Sequence, residues 1–267
     1  MTDAQDTPDV VAVERHGTVA VVRFASGGRA NPLSVRAMHG LLDTALALER
    51  DPHLCAVVLS GTADTFSYGF DLRDAGKVRA LPLAERREAQ SLGPRLCAAW
   101  ERIEALTVAA VEGWCVGGGV ALACALDLRV AGASATFYVP EIERGMNMSW
   151  GSVPRIVNLV GPAKAKRLVM LAERVDARRA EDWGLVDAVA DDGGAVARAL
   201  QYAERAAAMP PVQLRMCKAG INAYANALAP AAAALDRDQY LLAQLSGDFA
   251  EGVEAFMQKR PPRYTGR

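Results

Sequence analysis

The sequence predicts an α/β chain in which a core of strands and helices is followed by a helical C-terminal part. Three observations predict it. Short β-rich runs alternate with longer helical runs over the first half of the chain, as a layered core with parallel strands requires. From Ser152 onward the pattern is mostly helical, broken by "GLVDAVADDGG" (184–194). A chain of 267 residues with 51% hydrophobic content can bury one substantial core, alone or with a small helical appendage. The expected division is a core over 1–195 and a helical region over 196–267.

Taken in order, "VVAVERHGTVAVVRFA" (10–25) reads as a hairpin turning near His16-Gly17, because apolar and polar residues alternate on both sides. A helix is expected from Ser34 as N-cap to about Arg50, with Met38, Leu41, Leu42, Ala45 and Leu48 on one face. "CAVVLSG" (55–61) is a buried strand ending in a turn, and a loop is expected over Thr65 to Asp74. Charged "KVRALPLAERREAQ" leads into a helix ending near Glu104. "LTVAAVEG" is another buried strand, and "LRVAGASATFYV" supplies two more short ones. There is no internal repeat, and Ala-rich "ANALAPAAAALD" is ordinary helix material.

Charge and cysteine usage remove several classes of function. Lys+Arg 30 against Asp+Glu 31 gives no support to a nucleic-acid or membrane-surface role. No apolar stretch approaches the length that spans a bilayer, and "MTDAQDTPDV" lacks the basic and apolar regions of a signal peptide, so a soluble, cytoplasmic protein is expected. Cys55, Cys97, Cys115, Cys124 and Cys217 are scattered and form no C-x-x-C pair, which argues for free thiols rather than disulfides or a zinc site. No metal is expected.

"GWCVGGGVALACALDLRV" (113–130) places three glycines where an apolar strand-like run becomes an apolar helix-like run. A P-loop needs Lys and Ser/Thr after its last glycine, but Val120 and Ala121 follow here. A dinucleotide turn wants G-x-G-x-x-G, whereas Gly117, Gly118 and Gly119 are contiguous. What remains is a helix N-terminus with exposed N–H groups, suited to one uncharged or developing negative oxygen. Close packing of the turn against a neighbouring strand is its other use. A second glycine turn, "FSYGFDL" (66–72), also follows a buried strand, so two backbone N–H groups could converge on one pocket as an oxyanion hole.

These two stretches resemble the signature segments of the crotonase superfamily, the enoyl-CoA hydratase/isomerase fold, in which F-x-A-G-A-D-L precedes G-x-x-x-G-G-G. "ANPLS" (30–34), "FYVPEIERGM" (137–146) and "SGDFAEGVEAFMQKRPP" (246–262) extend the resemblance over nearly the whole chain. It implies a crotonase (ClpP-like) spiral of ββα units with a helical C-terminal trimerisation region. It also implies an acyl-CoA thioester as ligand, no cofactor beyond the coenzyme A of the substrate, and a homotrimer or dimer of trimers. The N–H groups of Phe70 and Gly118 would hold the thioester oxygen, with Ala30, Phe66, Tyr68, Asp71, Leu72 and Gly117 around the ligand and adenine near "GGRANPLS".

Of the family's two catalytic Glu positions, the second corresponds to Glu141 and the first to Ala121, three residues beyond Gly118 and so on its face of the helix. Hydration uses both carboxylates, whereas moving a double bond needs one base that takes a proton and returns it, so the residues favour an isomerase. A hydratase with a substitute for the missing Glu and a non-catalytic acyl-CoA binder are the alternatives. Glu143 is a candidate substitute, although in an extended segment it points away from Glu141. Tyr68 and Phe70 stand where small residues are usual, and Glu112 stands where Asn is common. Trp150 and Met148 are candidates for an apolar acyl tunnel. Phe256 and Lys259 resemble contacts to the nucleotide end of CoA, with Lys259 suited to a phosphate or else part of a solvated basic tail. His16, His39 and His53 are read as structural or surface residues.

Overall fold

The computed structural model describes residues 10–267, so the signal-peptide reading of the first nine falls outside the described residues. Strands β1 (Val11–His16) and β2 (Val19–Phe24) form the expected hairpin, pairing His16 with Val19 around Gly17 at φ +60°. Helix α1 (Val35–Glu49) starts where the sequence places it, with Ser34 Oγ accepting the Ala37 N–H at 3.1 Å. Its buried side chains include Met38, Leu41, Leu42, Ala45 and Leu48.

The next stretch winds as a spiral. Three strand pairs follow one another: β3 (Ala56–Ser60) with β4 (Thr65–Ser67), β5 (Leu106–Val111) with β6 (Trp114–Val116), and β7 (Leu128–Gly132) with β8 (Thr136–Tyr138). In each pair the first strand joins a six-stranded sheet and the second a four-stranded sheet. The larger sheet has the order β1-β2-β3-β5-β7-β10, with β10 at Ala188–Ala190, and all its pairings beyond the hairpin are parallel. The smaller is β4-β6-β8-β9, with β9 at Val175–Asp176. Between β4 and β5 run α2 (Leu72–Arg79), α3 (Leu83–Ala89) and α4 (Leu92–Arg102), while α5 (Gly118–Ala123) follows β6. Thr65 to Asp74, expected as a loop, therefore holds β4 and the start of α2. A three-residue strand is too short for alternation to register in sequence.

Alternation along the large sheet gives it two buried faces. Ala20, Val22, Val57, Leu59, Ala109 and Val111 face α1, α4 and α5, whereas Val19, Val21, Ala56, Val58, Val108 and Ala110 face the other way. That second face is covered by α8 (Ala195–Ala207), whose Ala195, Ala199, Ala203 and Ala206 repeat every three or four residues and let the helix lie close. Glu112 is buried and accepts the Ala195 N–H at 2.9 Å, putting a carboxylate at the positive end of α8. Its carboxylate serves the end of α8 and does not line the groove of the glycine turns.

The remaining helices are α6 (Ser152–Met170), which kinks at Gly161-Pro162, α7 (Ala177–Trp183), α9 (Pro211–Ala225), α10 (Ala229–Ala233), α11 (Asp236–Ala243) and α12 (Gly247–Gln258). Helix α8 belongs to the sheet core, and among the C-terminal helices the weakly buried ones begin with α9, which has no buried residue. Lys218 fastens α9 to the core, donating to Asp127 Oδ2 at 2.6 Å and to the Ala105 carbonyl at 3.0 Å. All five cysteines are free. Among the described residues no helix is long and apolar enough to cross a membrane.

Candidate active site

A groove of about 1160 Å³ runs between the glycine turns, helices α2 to α4 and the C-terminal helices α11 and α12. The local chain explains its floor. Buried Asn31, at φ +40°, donates from Nδ2 to the carbonyls of Phe24 and Phe66 at 3.2 and 2.8 Å and accepts the Ser26 N–H at 2.8 Å. Ser67 Oγ donates to the Asn31 carbonyl and accepts the Gly69 N–H, which fixes the turn before Phe70. Leu33 N–H donates to Gly69 O and Asp71 N–H to Leu33 O, so the bridge uses the neighbours of Phe70 and leaves out its own N–H.

The two turns meet back to back. A Cβ on Gly69, itself at φ +84°, would lie 3.1 Å from the Gly118 nitrogen, and one on Gly118 would lie 3.5 Å from the Phe70 nitrogen. Gly118 opens α5, where a first-turn N–H has no partner within the helix. Two amides on neighbouring turns at a groove wall can hold one oxygen. Gly119 serves the packing role, since a Cβ there would come within 2.9 Å of the Ser67 carbonyl.

Glu141 faces the same turn. A Cβ on Gly117, at φ +50°, would lie 2.4 Å from Glu141 Oε1, so this glycine makes room for the carboxylate. Glu141 Oε2 is buried without a hydrogen-bond partner among the described residues. Burial in the apolar wall pushes the carboxyl up to about 7, only partly opposed by its backbone hydrogen bond and by the charge of Arg144. A group poised there can accept and return a proton near neutrality. Ala121 is fully buried and lines the groove beyond Gly118, as its spacing implies, with a methyl where a second carboxylate would stand.

Trp150 closes one side. It takes φ +63°, and its indole fills the space that Cβ atoms on Gly93 and Gly118 would occupy, at 2.1 and 2.8 Å from the ring, with the Phe70 ring 6.5 Å away edge-on. Ala30, Tyr68, Asp71, Leu72, Met148 and Phe256 also line the groove. Tyr68 leans along the small sheet against Trp114 at 5.8 Å, leaving the turn itself open. Asp71 caps α2 by accepting the Arg73 N–H at 2.9 Å, and the Arg73 guanidinium holds its carboxyl below the usual range.

Three of the candidate residues lie outside the groove. Phe66 is fully buried and packs edge-on against Phe24 at 5.5 Å, so it is core rather than part of the groove wall. Lys259, the left-handed cap of α12, is not in the groove wall of its own chain. Glu143 also lies outside it, and its carboxylate accepts the Tyr138 hydroxyl. The structure adds residues that the motifs did not reveal: exposed His39, Asn147 next to Met148 in sequence, Tyr240 on α11 and Gln244 at the C-terminal cap of that helix.

The enoyl-CoA hydratase/isomerase family matches residues 14–267. The chain belongs to that family. A putative enoyl-CoA hydratase of Thermus thermophilus is 37% identical over 265 residues, covering 96% of this chain and 100% of the relative. The 2,3-dehydroadipyl-CoA hydratase of Escherichia coli is 30% identical over 96% of this chain and 98% of its own length. Among solved structures, a carnitinyl-CoA hydratase from Mycobacterium avium superposes with a TM-score of 0.85 at 31% identity, covering 98% of this chain and 100% of that one. The spiral described above is thus the crotonase fold, and the chain is an acyl-CoA-processing enzyme of this family.

Proposed function

We propose that the chain moves the double bond of a 3-enoyl-CoA to the conjugated 2 position with Glu141 as the single base. The observation that carries this reading is the pairing of a buried Glu141 Oε2, without a hydrogen-bond partner among the described residues, with a methyl at Ala121 on the groove wall. Glu141 takes a proton from C2, the electrons spread to an enolate oxygen held by the Phe70 and Gly118 N–H groups, and the same carboxyl returns the proton at C4. Two such amides are worth on the order of 3 kcal/mol of barrier each. Coenzyme A enters only as part of the substrate.

Hydration is the second reading, favoured by the names of the relatives, which are hydratases. Absorbance of the conjugated thioester separates the readings. Isomerisation of 3-enoyl-CoA raises it, hydration of crotonyl-CoA lowers it, and binding without change marks an inert binder. The isomerase reading fails if crotonyl-CoA is hydrated vigorously while 3-enoyl-CoA is left alone. Ala121→Glu, which restores a second carboxylate one turn into α5, should raise hydration of crotonyl-CoA above the parent level, measured by the same loss of absorbance.

Self-association is part of the proposal. Val212, Met216, Ile221, Tyr224 and Leu228 recur along and just past α9 at exposures of 62 to 89%. So many exposed apolar side chains on one water-facing helix and the turn after it argue for burial against another copy. Light scattering at micromolar concentration should give a trimer or a multiple of it; a monomer alone would remove this element.

A further inference from the structure

We infer that residues 259–267 form a strap that positions the base, with Tyr264 as a positioning residue that acts on Glu141 through the turn following it. The inference rests on the reading of Glu141 as the base and concerns what aims its carboxylate. Glu141 Oε2 has no hydrogen-bond partner among the described residues, and the hydrogen bond that opposes the effect of burial is to its own backbone. A carboxylate with no tether from another side chain is aimed by the backbone beneath it.

That backbone is a short 3₁₀ turn, Ile142–Arg144, with Glu141 at its N-cap. The Glu141 carbonyl accepts the Arg144 and Met146 N–H groups at 3.0 and 2.9 Å, and the Ile142 carbonyl accepts the Gly145 N–H at 3.1 Å. The Glu143 carbonyl, at the end of the turn, takes its donor from far along the chain, the Tyr264 hydroxyl at 2.6 Å. Helix α12 lies directly on the same turn. A Cβ on Gly145 would come within 2.6 Å of the Asp248 carbonyl oxygen, and one on Gly252 within 2.6 Å of the Arg144 carbonyl carbon, so both glycines permit contact of backbone with backbone. The Arg144 guanidinium also stacks over the Phe256 ring of α12 at 4.3 Å.

Past the left-handed Lys259 the chain doubles back along α12. The Arg260 guanidinium forks onto Glu251 at 2.6 and 2.8 Å, and the Arg263 N–H joins it on Oε1 at 2.7 Å. The Thr265 and Gly266 N–H groups donate to Asp248 at 2.7 and 2.8 Å, and the Arg267 carbonyl accepts the Gly247 N–H at 2.6 Å. Later residues thus meet earlier ones, so the strap runs antiparallel to the helix. Arg260 and the Arg263 N–H hold the Glu251 carboxyl down to about 2, which keeps this fastening intact where Glu141 titrates. Tyr264 sits between the two fastenings and does not line the groove, so it reaches the chemistry only by way of the turn.

Steady-state kinetics of Tyr264→Phe, alone and combined with Glu141→Gln, test this with whichever of 3-enoyl-CoA and crotonyl-CoA the parent turns over. Removing the hydroxyl releases the Glu143 carbonyl and loosens the turn, so kcat should fall about 5- to 10-fold while KM stays within about 2-fold of the parent. A thermal midpoint within about 3 °C of the parent reports that the variant is folded. On the Glu141→Gln background the same change should cost nothing further, because a residue that acts through Glu141 then has no base left to position. Unchanged kcat in Tyr264→Phe, or an equal fall on both backgrounds, overturns the inference. Full activity in Glu141→Gln alone removes the base reading itself, whatever Tyr264→Phe does, and the strap's role with it.

Discussion

Glu141→Gln should lower isomerase turnover by about 10²-fold or more while acyl-CoA affinity changes little, because the amide keeps the shape and removes the basicity. The pH dependence gives a second readout. With the carboxyl pushed up to about 7 by burial, kcat/KM should rise with pH through that value in the parent, and the limb should vanish in the variant. Stability should move the other way. A raised carboxyl lets the folded chain hold a proton that the unfolded chain has released, so the parent is favoured below the ordinary glutamate range and loses that contribution as pH rises to about 7. The thermal midpoint of Glu141→Gln relative to the parent should therefore be higher at pH 8 than at pH 5. Full isomerase activity in the variant would refute the base assignment.

Gly117→Ala should cost a comparable factor by geometry alone. The new methyl would sit 2.4 Å from Glu141 Oε1 and must displace the carboxylate, while the φ of +50° adds roughly 1 kcal/mol of backbone strain. A shift of about 1 Å in a reacting group is worth on the order of 10²-fold in rate. Gly193→Ala is the control, because it carries similar strain at φ +80° with nothing within 4 Å and lies outside the groove. Both variants should melt slightly earlier by circular dichroism, but only Gly117→Ala should lose turnover. Equal activity of the two would show that the carboxylate needs no such clearance.

What the sequence revealed and what it hid follow from how each part is encoded. Gly69, Gly117 and Gly118 are legible because only glycine tolerates the positive φ or the close approach at these turns, so a short motif suffices. The hairpin and α1 are legible because their alternation or helical period runs long enough to see. Phe66 was misplaced because a motif names neighbours in sequence, whereas the fully buried β4 that precedes the turn carries Phe66 into the core against Phe24. Tyr240, Gln244 and Asn147 left no signal, since α11 joins the groove wall only through the tertiary fold, and its own pattern is that of any partly buried helix.

The two long walls of the groove have unequal anchorage. On one side stand the sheets, with strands buried on both faces; on the other, α3 has no buried residue and is held to α11 by the Arg87–Asp238 pair, both of whose members are in water at 2.9 Å. Pairs so placed contribute little and weaken further with salt. Amide hydrogen exchange should accordingly divide the molecule: α3 and α11 exchange early and together, faster at high ionic strength, while β3, β5 and β7 exchange only on global unfolding. The yielding wall of the groove is then the helical one, while the turns that carry the Phe70 and Gly118 amides follow directly on strands of the smaller sheet.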